Sequence, residues 1–367
     1  MKTMRQLIYL TIFSYLAITL LEVSSDNLGK RRLTNHPMED VFPIWSPDGK
    51  NILFARGVGI AFTSRKYLEI HKFRSYIFIM NVEGSNLTRL SDLNGHDFQY
   101  TFSPDGQKVV FTRYREGYIK TSIFQLPFEE KRHFVNIMYS NVYIMDIDGK
   151  NLKNLTNNTK ENSYAEEPSF SPDGSKIAFS KWDEGIWIIS PDGSEEKQLV
   201  KNYARSPKWS PDGKKIAFRT DKGICIVEAD GKNFIKLIDD ELNAKDHTFS
   251  PDGNKIAFAG LYNHNGRTNY EIFVIDVNGS NLKKLTNMET FCSNPIWSPD
   301  GRKIVFESYA GGGKIYIMNS DGTGLKRVTD SKGREKSPSF SPNGEEITFS
   351  SLESGNWEIY VVNIKDF

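Results

Sequence analysis

Short runs of β-branched and aromatic residues alternate with polar turns along almost the whole chain. The stretch from 293 to 329 shows the pattern most clearly. It parses into four runs: 294–297 (Asn-Pro-Ile-Trp), 303–307 (Lys-Ile-Val-Phe-Glu), 315–319 (Ile-Tyr-Ile-Met-Asn) and 325–329 (Leu-Lys-Arg-Val-Thr). Their composition and Gly-containing breaks predict antiparallel strands, here termed A, B, C and D, rather than helix. The A–B link Ser298-Pro299-Asp300-Gly301 has turn chemistry at every position, and Ser320-Asp321-Gly322 repeats that logic between C and D.

This unit recurs. Copies of W/F-S-P-D-G begin at Trp45, Phe102, Phe170, Trp209, Phe249, Trp297 and Phe340, the last with Asn343 in place of the Asp. A proline stands two residues before the aromatic at Pro43, Pro168, Pro207, Pro295 and Pro338, which makes strand A an edge strand because proline cannot donate a ladder bond. A four-stranded meander repeated in this way predicts radial stacking around a channel lined by strand A, with the Trp or Phe turned into the core between blades. The last copy stops after a strand C, and the missing strand D is found at 30–34 (Lys-Arg-Arg-Leu-Thr), which matches Lys283-Lys284-Leu285-Thr286. The fold class is therefore all-β: a seven-bladed β-propeller of four-stranded antiparallel blades, closed by pairing 30–34 with the C-terminal blade.

The motif F/W-S-P-D-G-x-x-I-x-F, followed by I-Y-x-M-N-x-D-G and a terminal L-T, resembles the WD40-like repeat of TolB-type β-propellers over essentially all of 30–367. That resemblance implies an exported propeller whose channel mouth docks a protein segment, since TolB works in the periplasm. Fold alone does not fix function.

Residues 1–25 stand apart. Lys2 and Arg5 precede an apolar run from Leu7 to Leu21, and Val23-Ser24-Ser25 offers small residues for cleavage. This reads as a secretory signal peptide cleaved near Ser25, leaving 26–367 as a single propeller domain in the periplasm or outside the cell. A retained anchor is the alternative, for which the run is short. The whole chain has 47 basic and 46 acidic residues, and loss of the leader leaves 45 of each. Nothing here suggests nucleic-acid binding. Cys225 and Cys292 fall in different blades, so buried free thiols are expected rather than a disulfide framework.

The first two repeats are the longest, with B–C insertions at 57–75 and 114–141. The second carries Tyr118, Phe124, Phe128, Phe134 and Tyr139, and is read either as a partner-binding ledge or as an extra hairpin covering a blade edge. Both insertions lie on the face formed by B–C and D–A connections. There the residues leading into strand A are polar: Asp40, His96, Asp97, Gln99, Tyr100, Glu166, Glu167, Arg205, Lys245, Asp246, His247, Asn294, Glu335 and Lys336. All six histidines are expected on this face, outside strands B, C and D. These residues suggest a polar funnel for a protein or peptide partner bound by a monomeric, non-catalytic platform without a cofactor.

A serine hydrolase is not supported, because no G-x-S-x-G occurs. The alternative is a carbohydrate-binding propeller or a metal-dependent polysaccharide lyase. Oligogalacturonate lyase has a similar architecture and holds a metal with histidines and a glutamine, for which His36, His96, Gln99 and His247 are the candidates here. No H-x-H or H-E-x-x-H spacing accompanies them.

Overall fold

The computed structural model describes residues 29–57, 74–92, 95–115, 119–120, 134–135, 139–158, 163–221, 223–238 and 240–367. The segment read as a signal peptide, most of both insertions, His71 and His133 lie outside the described residues.

Each S-P-D-G turn is built by its own side chains. Ser298 Oγ donates to Asp300 Oδ1 (2.6 Å) and accepts from the Lys303 amide (2.9 Å), while the Arg302 amide donates to Asp300 Oδ1 (3.0 Å). Gly301 then takes φ +71°, which only glycine adopts without strain. Asn343 keeps the acceptor: its Oδ1 receives Ser341 Oγ at 2.6 Å and the Glu345 amide at 3.1 Å. The turns also stack on one another. A Cβ at Gly106 would stand 3.5 Å from Pro47, one at Gly253 3.5 Å from Pro211, and one at Gly49 3.6 Å from Pro342, so the first turn abuts the last.

The turns connect strands that assemble into four-stranded antiparallel sheets. Glu39–Trp45, Asn51–Gly57, Ser75–Asn81 and Thr88–Arg89 form the first in sequence order, and the sheets starting with strand A at Arg205–Trp209, Lys245–Phe249 and Cys292–Trp297 repeat it. In the sheet containing Glu335–Phe340, Glu346–Ser351 and Glu358–Asn363, the fourth strand is Arg31–Arg32, paired antiparallel with Tyr360 and Val361. The units of Gly95–Phe102 and Ser163–Phe170 are not separate. A two-residue parallel pairing of Tyr139 with Ser163 and Ser140 with Tyr164 fuses them into one eight-stranded sheet.

Two expectations need correction. The D strands are mostly two residues long, as at Lys326–Arg327, rather than four or five. In three repeats the C-terminal Thr of the expected strand D leaves the ladder to bond a buried carboxylate: Thr34 to Glu358, Thr286 to Glu271 and Thr329 to Glu335. His264 also lies in a strand B after all, because Lys255–His264 and Arg267–Asp276 form a long hairpin in which its Nε2 meets Glu271 Oε1 at 2.9 Å.

The core is distributed between sheets instead of gathered at one centre. The Phe of each strand B (Phe54, Phe111, Phe179, Phe218, Phe258, Phe306, Phe349) is fully buried. One cluster joins Trp45, Ile52, Phe54 and Met80 to Ile359 and Val361, coupling the first sheet to the last. Trp45 Nε1 donates to the Ser339 carbonyl at 3.2 Å across the same junction. Such interfaces make each repeat dependent on its neighbours. The free thiols Cys225 and Cys292 are buried among these layers, and burial pushes Cys292 up to about 12.

Candidate binding face

Strand A bends at the same place in every repeat. Three residues before the aromatic, Phe42, Gln99, Glu167, Ser206, Asp246, Asn294 and Ser337 all have φ between +50° and +59°, beside a register shift against strand B. A left-handed residue other than glycine costs about 1–2 kcal/mol. In several repeats the preceding repeat supplies an acceptor for the amide of this residue. Ser206 N donates to Glu167 Oε2 (2.6 Å), Glu167 N to Gln99 Oε1 (3.2 Å), Ser337 N to Glu307 Oε1 (2.7 Å) and Phe42 N to Ser350 Oγ (3.1 Å). The bulge thus aims a side chain off the A-strand edge and links neighbouring repeats.

One residue earlier, three cations sit against aromatic rings. The Arg205 guanidinium lies 3.4 Å from the Trp182 ring centroid and 4.6 Å from that of Tyr203. Lys245 Nζ is 4.2 Å from both Tyr270 and Phe291, and Lys336 Nζ is 4.1 Å from Trp357 and 5.2 Å from Phe42. Ring faces attract such cations by about 0.5–2 kcal/mol, more as water is excluded. Burial holds Lys245 and Lys336 below the ordinary lysine value. Carboxylates alternate with these boxes. Glu166 accepts from Tyr114 Oη at 2.8 Å, Glu167 also accepts from Ser206 Oγ at 2.9 Å, and Glu307 accepts from Asn294 Nδ2 at 2.7 Å. Burial raises the Glu166 and Glu307 carboxyls above the usual range.

Beside this charged arc, Phe42, Ile44, Phe98, Gln99, Tyr100 and Tyr114 line an open, largely apolar cavity of about 430 Å³ between the first two repeats. Tyr100 is fixed there by donating to the Phe42 carbonyl at 2.7 Å.

Not every residue expected at the mouth is there. Asp40 and Asp97 are fully enclosed, each gripped by two bonds from the guanidinium of Arg56 or Arg113 at 2.7–2.8 Å. Glu335 is buried under Ser331 and Thr329. The position five residues before the aromatic points into the blade, so a charged side chain there needs an internal partner. The remaining expected residues cluster at the A-strand entry, with His96 and His247 buried. Sequence reading missed Phe42, Phe98, Tyr114, Trp182, Tyr203, Lys208, Arg219, Tyr270, Phe291, Glu307 and Trp357. In-register alignment of the repeats would have flagged Phe42, Phe98, Lys208, Arg219 and Glu307.

The four metal candidates are dispersed. His36 precedes strand A of the first repeat, where its Nδ1 accepts the Met38 amide at 3.1 Å; His96 and Gln99 belong to the second repeat and His247 to the fifth. Among the described residues no three His, Cys, Asp or Glu side chains come together as a metal cluster. These residues do not fit a metal centre of the kind anticipated.

An all-β chain of repeated four-stranded antiparallel sheets, with a variable polar edge on strand A, defines a propeller-type protein. Residues 222–366 match the TolB beta propeller domain. An uncharacterized protein of Agrobacterium fabrum is 29% identical over 151 residues, 41% of this chain and 43% of that protein's length. Among solved structures, oligogalacturonate lyase from Vibrio parahaemolyticus superposes with a TM-score of 0.67 at 15% identity, covering 92% of this chain and 94% of the other. An oligogalacturonate lyase in complex with manganese gives 0.69 at 16%, covering 92% and 93%. TolB from Acinetobacter baumannii gives 0.50 at 19%, covering 83% and 66%. At these identities the likeness is one of fold.

Proposed function

We propose that the chain is an exported, non-catalytic, seven-bladed β-propeller that captures a protein or peptide segment at the A-strand face. Closure of the ring is supported by the pairing of Arg31–Arg32 with the last sheet and by the packing of Gly49 on Pro342. The observation that carries the binding role is the pairing of a 430 Å³ apolar cavity with an arc of cations held in aromatic boxes. A cavity of that size takes one or two apolar side chains, and fixed charges beside it orient the backbone that carries them. The partner belongs to the cell envelope or lies outside the cell, and the platform works as a monomer without a cofactor. The leader is removed near Ser25, which mass measurement of the mature protein checks. Among the described residues no helix is long and apolar enough to cross a membrane.

The test is affinity capture from envelope extracts with the wild-type protein and a 114–141 deletion. Specific capture by the wild type, lost in the deletion while the ring stays folded, supports platform and ledge. Absence of specific capture removes the platform reading.

The second reading, a polysaccharide lyase or carbohydrate-binding propeller, draws on the exposed rings of Trp182 and Tyr309 and on the lyase-like fold. Cleavage of an acidic polysaccharide by the purified protein would establish the lyase.

A further inference from the structure

Where the A strands of the fourth and fifth repeats meet, three basic side chains are left without partners. Lys208 stands immediately before the Trp of its strand, at a position held by Ile, Thr or Ser in every other copy. Its side chain is open to water yet crowded by neighbouring strands, which holds the ammonium below the ordinary lysine value. Arg219, half-buried, follows the strand B Phe where other copies carry Ala, Thr, Ser or Glu. Among the described residues neither makes an ion pair or a hydrogen bond through its side chain. His247 replaces the usual proline of strand A, is only 4% exposed, and has both ring nitrogens without a well-formed hydrogen bond among the described residues, with the Ala217 and Ser206 backbones beside it. The charged groups acting most on its ring are Lys208 and Arg219, both cations.

A buried imidazole with unmet nitrogens costs free energy that proline at that position would avoid. Two unpaired cations beside it add repulsion. All three penalties disappear if an anion enters. The carboxylate felt by Lys208 is Glu167, already committed to Ser206. Counting Lys208, Arg219 and Glu167, with the ring neutral, the spot has one positive charge in excess, which a monoanion matches. Lys245, which also feels Arg219, is offset by Asp246 and Glu307.

We infer that this junction is a carboxylate-binding subsite in which Lys208 and Arg219 supply charge and a ring N–H of His247 donates a hydrogen bond. Its carrier would be an acidic side chain or the terminal carboxylate of the captured segment. The identity of the carrier rests on the proposed function; the subsite itself does not.

The repeats supply the control variants. Lys208→Thr and Arg219→Ser install residues that other copies carry at the same positions, so the fold is expected to tolerate them. Histidine ring NMR on ¹⁵N-histidine protein, with His247→Pro to assign the signal, follows titration with N-acetyl-triglycine, N-acetyl-aspartic acid α-amide, N-acetyl-triglycine amide and inorganic phosphate. Expected is a saturable shift of the His247 ring with at least one of the two carboxylates and none with the amide. The preferred carboxylate identifies the carrier. Each substitution should weaken binding by roughly tenfold or more, as loss of a charge-assisted bond does. No saturable shift, equal binding of the amide, or unchanged affinity in the double variant overturns the proposal; tighter binding of phosphate than of either carboxylate overturns the ligand class. Carboxylate binding by a protein that captures no partner would leave the subsite standing and remove the platform reading.

Discussion

One carboxylate ties the N-terminal strand to the last sheet. Arg31 and Arg32 pair with the last sheet over two residues only, yet Glu358, fully buried in strand C of that sheet, gathers three donors from the same N-terminal segment. They are Thr34 Oγ1, the His36 amide at 2.8 Å and Arg32 Nη2 at 2.9 Å. Replacing Glu358 by Ala leaves a buried hydroxyl and a partly buried amide without their acceptor, while the Arg32 guanidinium keeps the Thr34 carbonyl and Asn35 Oδ1. At about 1–3 kcal/mol for each stranded group, the cost should be roughly 2–5 kcal/mol. That is a large share of a typical total of about 5–15 kcal/mol. Glu271 is the internal control. It is equally buried and accepts from Thr286 and the Met288 amide, but its donors lie within its own repeat. Urea unfolding should show Glu358→Ala and Glu271→Ala to be comparably destabilised. Hydrogen exchange and limited proteolysis should separate them, with residues 29–38 released in Glu358→Ala alone. A Glu358→Ala protein within about 0.5 kcal/mol of wild type, or with the N-terminal segment still protected, would refute the idea that this carboxylate ties that segment to the last sheet.

Other perturbations test other parts of the argument. The S-P-D-G aspartates Asp48, Asp105, Asp173, Asp212, Asp252 and Asp300 are all held below the usual carboxylate range, first by the Ser hydroxyl two residues earlier. Folded values below unfolded ones give stability that is present above about pH 4 and lost as pH falls through the folded values, so the denaturation midpoint should fall steeply on acidification. Asp300→Asn, copying the Asn343 turn, should fold normally and soften that acid limb, whereas Asp300→Ala should cost about 1 kcal/mol by calorimetry. Gly253→Ala places a Cβ at φ +71° and should cost about 1–2 kcal/mol, while Ser337→Gly relieves φ +57° and should be neutral or stabilising by up to about 1 kcal/mol once the greater freedom of unfolded glycine is counted. Phe42→Ala removes an exposed wall of the 430 Å³ cavity and should weaken capture severalfold in a pull-down while leaving the unfolding midpoint unchanged within about 0.5 kcal/mol.

The turns and the strand B Phe were legible because their chemistry is local: Ser, Asp and Gly complete the turn by themselves, and the Phe repeats in register with it. The pairing of the chain's two ends was legible for the same reason, from a strand pattern missing at one terminus and present at the other. The site was legible only as a region. Asp40 and Asp97 look like mouth residues until Arg56 and Arg113 are seen to grip them, and the partner that decides the matter lies sixteen positions away. His264 looked like a loop residue because a two-residue turn, Asn265-Gly266, extends the hairpin beyond the repeat's usual length. Trp182 and Trp357 fall in connections and Tyr270 within a long strand C, at spacings from strand A that vary, so no fixed offset ties them to the cations they cover. The fusion of the second and third units depends on two backbone pairs beside the long insertion, which no side-chain pattern announces.

The strained position in strand A explains how such a chain can vary its A-strand face without disturbing its fold. Positive φ at Phe42, Gln99, Glu167, Ser206, Asp246, Asn294 and Ser337 would be met most cheaply by glycine, yet none of the copies uses it. The bulge that creates this strain also frees the side chain from the ladder and turns the amide toward an acceptor on the preceding repeat. Geometry is thus set by the backbone and by a neighbour's oxygen, and no single side-chain chemistry is required, even though Gln99 and Glu167 themselves serve as acceptors for the next repeat. It is accordingly aromatic in one repeat, acidic in two, and amide or hydroxyl in the others. On the proposed binding role, selection can change what the face recognises one repeat at a time, and the conformational cost of keeping a side chain there is what that role would explain.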